Sequence, residues 1–116
     1  MKFAYFFTIM NRILTRMEEF LLLAVLKLKN DAYPVPIYDD IIAATGTSLT
    51  LGAIYLPLQR LEEQGLLKST LRNPTAERGG KSRRYYRLTD KGMEALAVSR
   101  GAWENMWDGV EWIKIK

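Results

Sequence analysis

The stretch Thr47-Ser48-Leu49-Thr50-Leu51-Gly52-Ala53-Ile54-Tyr55-Leu56-Pro57-Leu58-Gln59-Arg60-Leu61-Glu62-Glu63-Gln64-Gly65 decides how the 116-residue chain is read. Ile54, Leu58, Leu61 and Gly65 recur at steps of four, three and four, which buries one face of a helix over 51–64. Thr50 is the expected N-cap, and Gly65 fits the left-handed position just past the end. The exposed entry to this helix is built from small or polar residues: Thr47, Ser48, Thr50, Gly52 and Ala53. Pro57 breaks the rule. Inside a regular helix it removes a backbone hydrogen bond at a cost of about 3 kcal/mol, so a kink or an irregular first turn is expected there.

Upstream, Thr15 and Glu18 form a T-x-x-E capping box opening a helix through Phe20, Leu21, Leu22, Leu23, Val25, Leu26 and Leu28. That run is apolar nearly all round, so burial on most sides is expected. Asn30-Asp31 ends it. Pro36 suits the first position of a second helix, Ile37 to about Thr45, stopped by Gly46. Its apolar face is Ile37, Ile41 and Ile42, with Asp39 and Asp40 facing outward. Residues 1–14 are apolar and aromatic behind Lys2, but the run ends at Asn11-Arg12 without a cleavage site, and it is too short to span a bilayer. An extra element packing on the domain or its partner is the preferred reading, and later starts at Met10 or Met17 are the alternative.

Downstream, Leu66–Leu71 and Arg84–Leu88 read as two strands of a hairpin, with the tip at Arg78-Gly79-Gly80-Lys81-Ser82-Arg83. Tyr85 and Tyr86 are adjacent on a strand and so point to opposite faces, which suggests one in the core and one towards a bound DNA backbone. Thr89 caps a last helix, on which Met93, Leu96, Trp103, Trp107 and Val110 recur as an a/d stripe interrupted by Arg100. The net charge of +4 is concentrated in this hairpin. Residues 1–65 hold six basic and seven acidic side chains, 66–91 hold eight and two, and 92–116 hold three and four. A short positive segment between nearly neutral ones points to an anionic partner.

The order helix, helix, turn, helix, basic hairpin, helix is the plan of a winged helix-turn-helix. The expected fold class is therefore α+β, mainly α, with a two-stranded wing and a C-terminal helix, to which a family resemblance assigns dimerisation. The expected division is an N-terminal extension over 1–14, a winged-helix DNA-binding domain over 15–88, and a dimerisation helix over 89–116. Such a helix enters the major groove of duplex DNA, about 12 Å wide, by its small and polar N-terminal end. Thr50, Ala53 and Gln59 are candidate readers of base edges, joined by Ser48 and Gly52 at the entry. Arg60 is open to two readings, a phosphate contact or a pair with a neighbouring Glu. Arg78, Lys81, Arg83 and Arg84, with Arg72, supply phosphate-neutralising charge on the wing.

With no Cys and no His, the chain lacks thiol nucleophiles, Ser–His–Asp triads and Cys/His metal sites. No catalytic residue, metal site or cofactor is expected, nor any disulfide, which suits a cytoplasmic protein without a membrane anchor.

These segments resemble the PadR family of transcription regulators. The resemblance is carried by Leu51-Gly52-Ala53-Ile54-Tyr55, by Leu58-Gln59-Arg60-Leu61-Glu62-Glu63-Gln64-Gly65-Leu66-Leu67, and by Arg78-Gly79-Gly80-Lys81-Ser82-Arg83-Arg84-Tyr85-Tyr86-Arg87-Leu88-Thr89 with Gly92. It spans residues 15–109. It implies a homodimer with one DNA reader per subunit, usually a repressor, with 51–64 as recognition helix and Tyr55 touching a phosphate. It also implies that the C-terminal helix makes the dimer, and some family members answer small aromatic ligands. Pro57, the N-terminal extension and the short last helix depart from the family pattern.

Met93, Leu96, Trp103, Met106, Trp107 and Val110 are thus the candidate dimerisation or ligand-pocket residues. Two other function classes stay in view. One is a dimeric ligand sensor that acts through a partner protein instead of DNA. The other is a small hydrolase or transferase using Asp39 and Asp40, which project about 100° apart on a helix and share a site poorly.

Overall fold

The structure, a computed structural model, describes residues 13–72 and 82–111. The first helix, α1 (Arg16–Leu28), opens on the expected capping box. Thr15 Oγ1 accepts from the Glu18 N–H at 3.1 Å, and Glu18 Oε1 accepts from the Thr15 N–H at 2.8 Å. Leu21, Leu22, Ala24 and Val25 are buried, but Leu23 and Leu26 are 43% and 41% exposed. The expectation of burial on most sides is corrected here, because no element among the described residues covers that flank.

Beyond α1 the chain makes a short 3-10 turn, Lys29–Asp31, and buries Ala32 completely. Helix α2 (Pro34–Thr45) then begins two residues before the sequence suggested. Pro34 holds the first position and Pro36 the third. Both are tolerated because first-turn N–H groups have no intrahelical acceptor. Gly46 ends α2 at φ 66°, its N–H bonded to the Ile42 carbonyl at 2.9 Å. Ile37 and Ile41 are buried and Ile42 half-buried; Asp39 is exposed, while Asp40 pairs with Lys27 at 2.7 Å.

The predicted helix over 51–64 forms in two pieces, a 3-10 turn Leu51–Ile54 and helix α3 (Tyr55–Glu63). This is the irregular start that Pro57 demanded. With the α-helical ladder beginning at Tyr55, Pro57 is its third residue, where the missing N–H costs little. Thr50 precedes the 3-10 turn in an extended conformation, but its hydroxyl caps nothing; its carbonyl accepts from the Ala53 N–H at 3.1 Å. Tyr38 holds the preceding turn by donating to the Leu49 carbonyl at 2.7 Å. Gly65 takes φ 80° at the far end.

Strands β1 (Leu67–Arg72) and β2 (Arg83–Leu88) pair antiparallel, each shifted or extended by one residue from the sequence reading. The hairpin is tied to the rest of the chain where the Tyr86 N–H donates to the Ala32 carbonyl at 2.8 Å. Helix α4 (Asp90–Trp107) starts at the expected cap, with Thr89 Oγ1 accepting from the Gly92 N–H at 3.0 Å. Val110 lies past its end, so the predicted a/d stripe stops at Trp107. Helix α1 packs against α2, β2 and α4, and α3 packs against β1. The core joins these elements through Leu21, Leu22, Ile37, Ile54, Leu58, Leu61 and Leu67, none more than 1% exposed.

Candidate nucleic-acid interface

Burying Ile54, Leu58 and Leu61 turns the other side of α3 and its 3-10 entry outward. Ser48, Thr50, Gly52, Ala53, Tyr55, Gln59 and Arg60 are all exposed, and of these Tyr55 and Gln59 line the cleft beside the wing. A Cβ at Gly52 would meet nothing within 4 Å, leaving open approach there. Of the two readings of Arg60, the pair with a neighbouring Glu does not form among the described residues. Gln59 Nε2 reaches Glu63 Oε2 at 3.4 Å. Leu56, 52% exposed on the same helix, was missed by sequence reasoning because an apolar residue there reads as core.

Strand alternation gives the wing two faces. The inner face carries Leu67, Ser69 and Leu71 opposite Leu88, Tyr86 and Arg84. Here the last turn of α3 is coupled to both strands. Ser69 Oγ shares its proton between Glu62 Oε2 at 2.7 Å and Oε1 at 2.8 Å, and accepts from Arg84 Nη1 at 2.8 Å. Tyr86 lies in the core of this face. Burial, then the Glu62 carboxylate, raises its pKa above the usual 10.0, so its phenol stays protonated.

The outer face carries Lys68, Thr70 and Arg72 opposite Arg87, Tyr85 and Arg83. Arg72 stacks 3.6 Å above the Tyr85 ring and Arg83 stacks 4.2 Å from the Tyr33 ring. The two tyrosines lie 5.1 Å apart between the arginines. Tyr85 and Tyr86 thus point to opposite faces as expected, with Tyr86 in the core, but Arg72 and Tyr33 cover Tyr85 to 9% exposure. Tyr33 and the Arg72–Tyr85 stack could not be found from the sequence, since Tyr33 is about fifty residues away. Arg78 and Lys81 lie outside the described residues.

Between α3 and the wing runs an open cleft of about 1030 Å³, lined by Tyr55, Gln59 and Glu62 on one side and Arg83 and Arg84 on the other. On the opposite part of the molecule, α4 turns Gly92, Ala95 and Ser99 inward. Ser99 hydrogen-bonds Glu19 of α1. Met93, Trp103, Met106, Trp107 and Val110 are exposed, and Leu96 is half-buried. Trp103 and Trp107 pack at 5.6 Å, and Arg16 lies 5.6 Å over Trp103. With Phe20, Leu23 and Leu26 of α1, Met93, Leu96 and Trp103 line an apolar groove of about 670 Å³. The sequence picked out the α4 half of this groove and read the α1 half as core.

Residues 22–98 match the sequence profile of the PadR-like family of transcriptional regulators. The chain belongs to the PadR-like family. Solved structures agree. A PadR-family transcriptional regulator from Eggerthella lenta is 32% identical with a TM-score of 0.63, covering 81% of this chain and 80% of its own. A PadR-like transcription factor from Bacteroides fragilis is 27% identical with a TM-score of 0.67, covering 78% and 82%. A PadR-like transcriptional regulator from Bacillus cereus is 25% identical with a TM-score of 0.62, covering 81% and 93%. No curated protein matches the chain.

As a PadR-like transcriptional regulator with the winged-helix fold, the protein is not an enzyme, and Asp40 is engaged by Lys27 rather than poised beside Asp39. No helix among the described residues is long and apolar enough to cross a membrane.

Proposed function

We propose that this PadR-like regulator is a sequence-specific DNA-binding repressor that acts as a homodimer in the cytoplasm. Residues 15–88 form the reader and residues 89–116 the dimerisation unit. The observation that carries the reading is the cleft in which Tyr55 and Gln59 face the wing's Arg83 and Arg84, with Thr50, Gly52, Ala53 and Arg60 exposed on the same segment. Ser48, Thr50, Ala53 and Gln59 enter the major groove, with Gly52 allowing close approach, while Tyr55 and Arg60 meet phosphates. Arg78, Lys81, Arg83 and Arg84 neutralise backbone charge along the wing. Met93, Leu96, Trp103, Met106, Trp107 and Val110 meet a second copy, and the paired Trp103 and Trp107 rings offer a planar surface for a small aromatic effector.

The test is fluorescence anisotropy with a labelled duplex from the DNA upstream of the protein's own gene, with competitor DNA and a salt series. The wild type is compared with a variant in which Arg78, Lys81, Arg83 and Arg84 are changed to Ala. Competitor-resistant binding with a steep salt slope is expected. Each lost phosphate contact flattens that slope by about 0.9, so the variant falls by up to about 3.6. Binding that ignores salt, or none above the competitor background, overturns the reading in favour of a sensor that acts through a partner protein.

A further inference from the structure

The outer face of the wing carries more positive charge than the strands can comfortably hold. Lys68 and Arg87 are directly opposite across β1 and β2, as are Arg72 and Arg83. Like charges at such positions repel and weaken a sheet. The second pair is relieved by Tyr85 and Tyr33, whose ring faces accept the two guanidinium groups. The first pair has no such relief. Neither Lys68 nor Arg87 meets a carboxylate or an aromatic face among the described residues.

A third cation joins them from another element. Lys29, at the end of α1, lines with Asn30, Lys68, Thr70 and Arg87 a shallow pocket of about 70 Å³ at the base of the hairpin. Lys29 is the one described residue other than glycine with a positive φ, 55° with ψ −113°. Glycine takes that conformation without strain, and a lysine does not. Three basic residues, one on a strained backbone and two directly opposite each other, thus line one pocket with Asn30 and Thr70. Their common complement is a phosphate oxygen.

We infer that Lys29, Lys68 and Arg87 form a second phosphodiester-binding surface, which takes the backbone of duplex DNA flanking the recognised site. The surface rests on the DNA-binding reading above but is separate from its contacts. Ser69 and Arg84, which face α3, are on the other side of the sheet. The outer face points away from α3, so a duplex seated on α3 would reach it only past the end of the site.

The test compares two duplexes from the upstream DNA in the anisotropy assay. One is trimmed to the protected site and the other extended by about one helical turn, 10 base pairs, at each end. The proteins are the wild type and a variant combining Lys29→Gly, Lys68→Thr and Arg87→Thr. On the extended duplex the wild-type salt slope should be steeper than the variant's by about 2.7, which is about a 40-fold difference in the affinity lost between 50 and 200 mM salt. On the trimmed duplex the two proteins should bind alike.

The variant should also melt at a higher temperature than the wild type, since strain and repulsion are both relieved. That rules out damage to the fold as the cause of weaker binding. A charge-conserving exchange, Lys68→Arg with Arg87→Lys, should keep the wild-type slope. Wild-type slopes that are equal on both duplexes, or a variant that keeps the steep one, overturn this inference while leaving the DNA-binding reading intact. Failure of the wild type to bind either duplex overturns both.

Discussion

Two glycines of α4 should respond to the same substitution with opposite sign. Gly92 is the third residue of the helix and is pressed against the junction of α3 and β1. A Cβ at Gly92 would overlap the carbonyl oxygen of Leu66, and would lie 3.2 Å from both the Leu66 carbonyl carbon and Leu88 Cγ. The oxygen belongs to backbone and is already engaged by the Thr89 N–H at 3.2 Å, so it cannot swing aside as a side chain would. Relief requires the start of α4 to move, which breaks the Thr89 cap on the Gly92 N–H.

Overpacking of this kind costs about 1–3 kcal/mol and loss of a cap about 1 kcal/mol. The higher helix propensity of Ala returns at most about 1 kcal/mol. Gly92→Ala should therefore destabilise the protein by about 1–3 kcal/mol. At Gly101, nine residues on, a Cβ would meet nothing within 4 Å. Gly101→Ala should stabilise by about 0.5–1 kcal/mol, through propensity and a less flexible unfolded chain. Urea denaturation at one protein concentration compares the two. If both variants fall on the same side of the wild type, the packing argument is wrong.

Glu62→Gln should loosen the wing from α3, and because the carboxylate is partly solvated the cost should be about 1 kcal/mol. A double-mutant cycle with Arg84→Ala should return a coupling of at least about 0.5 kcal/mol if Ser69 relays between them, and none if the contact is incidental. The raised pKa of Tyr86 means that its neutral form is favoured in the fold. Its contribution is complete below pH 10 and is lost as pH rises through the higher folded value, so Tyr86→Phe should flatten the alkaline fall in melting temperature. If a second copy covers the exposed Trp103, Trp103→Ala should weaken self-association by about tenfold or more in sedimentation equilibrium.

Most local chemistry was legible in the sequence, the Thr50 cap excepted. The Thr15–Glu18 box, the stops at Gly46 and Gly65, the Thr89 cap and the disturbance at Pro57 all depend on contacts within about four residues. The reading went astray where partners are distant or absent. Leu23 and Leu26 are apolar because α1 and α4 together present a groove, and a one-chain reading of hydrophobicity cannot distinguish a groove from a core. Tyr85 was expected on either side of the wing, but Tyr33 and Arg72 cover it, and no periodicity announces a stacking partner from the connector before α2. Pro34 took the first helical position from Pro36 because Ala32 is drawn into the core and bonded to β2, which fixes where the chain must turn.

These distant contacts give the wing its stiffness, and stiffness decides how useful its charge can be. A free arginine on a hairpin loses side-chain entropy when it meets a phosphate, about 2 kcal/mol for a fully mobile one. Arg84 is held in place by Ser69 and Glu62 on the inner face, while Arg72 and Arg83 are held by tyrosine rings on the outer one. Much of that ordering cost is met when the protein folds rather than when it meets its partner. On the proposed reading, Tyr33 and Tyr85 should therefore affect DNA binding without touching the DNA. Removing the ring of Tyr33 should weaken binding through Arg83, leaving the number of positive charges unchanged.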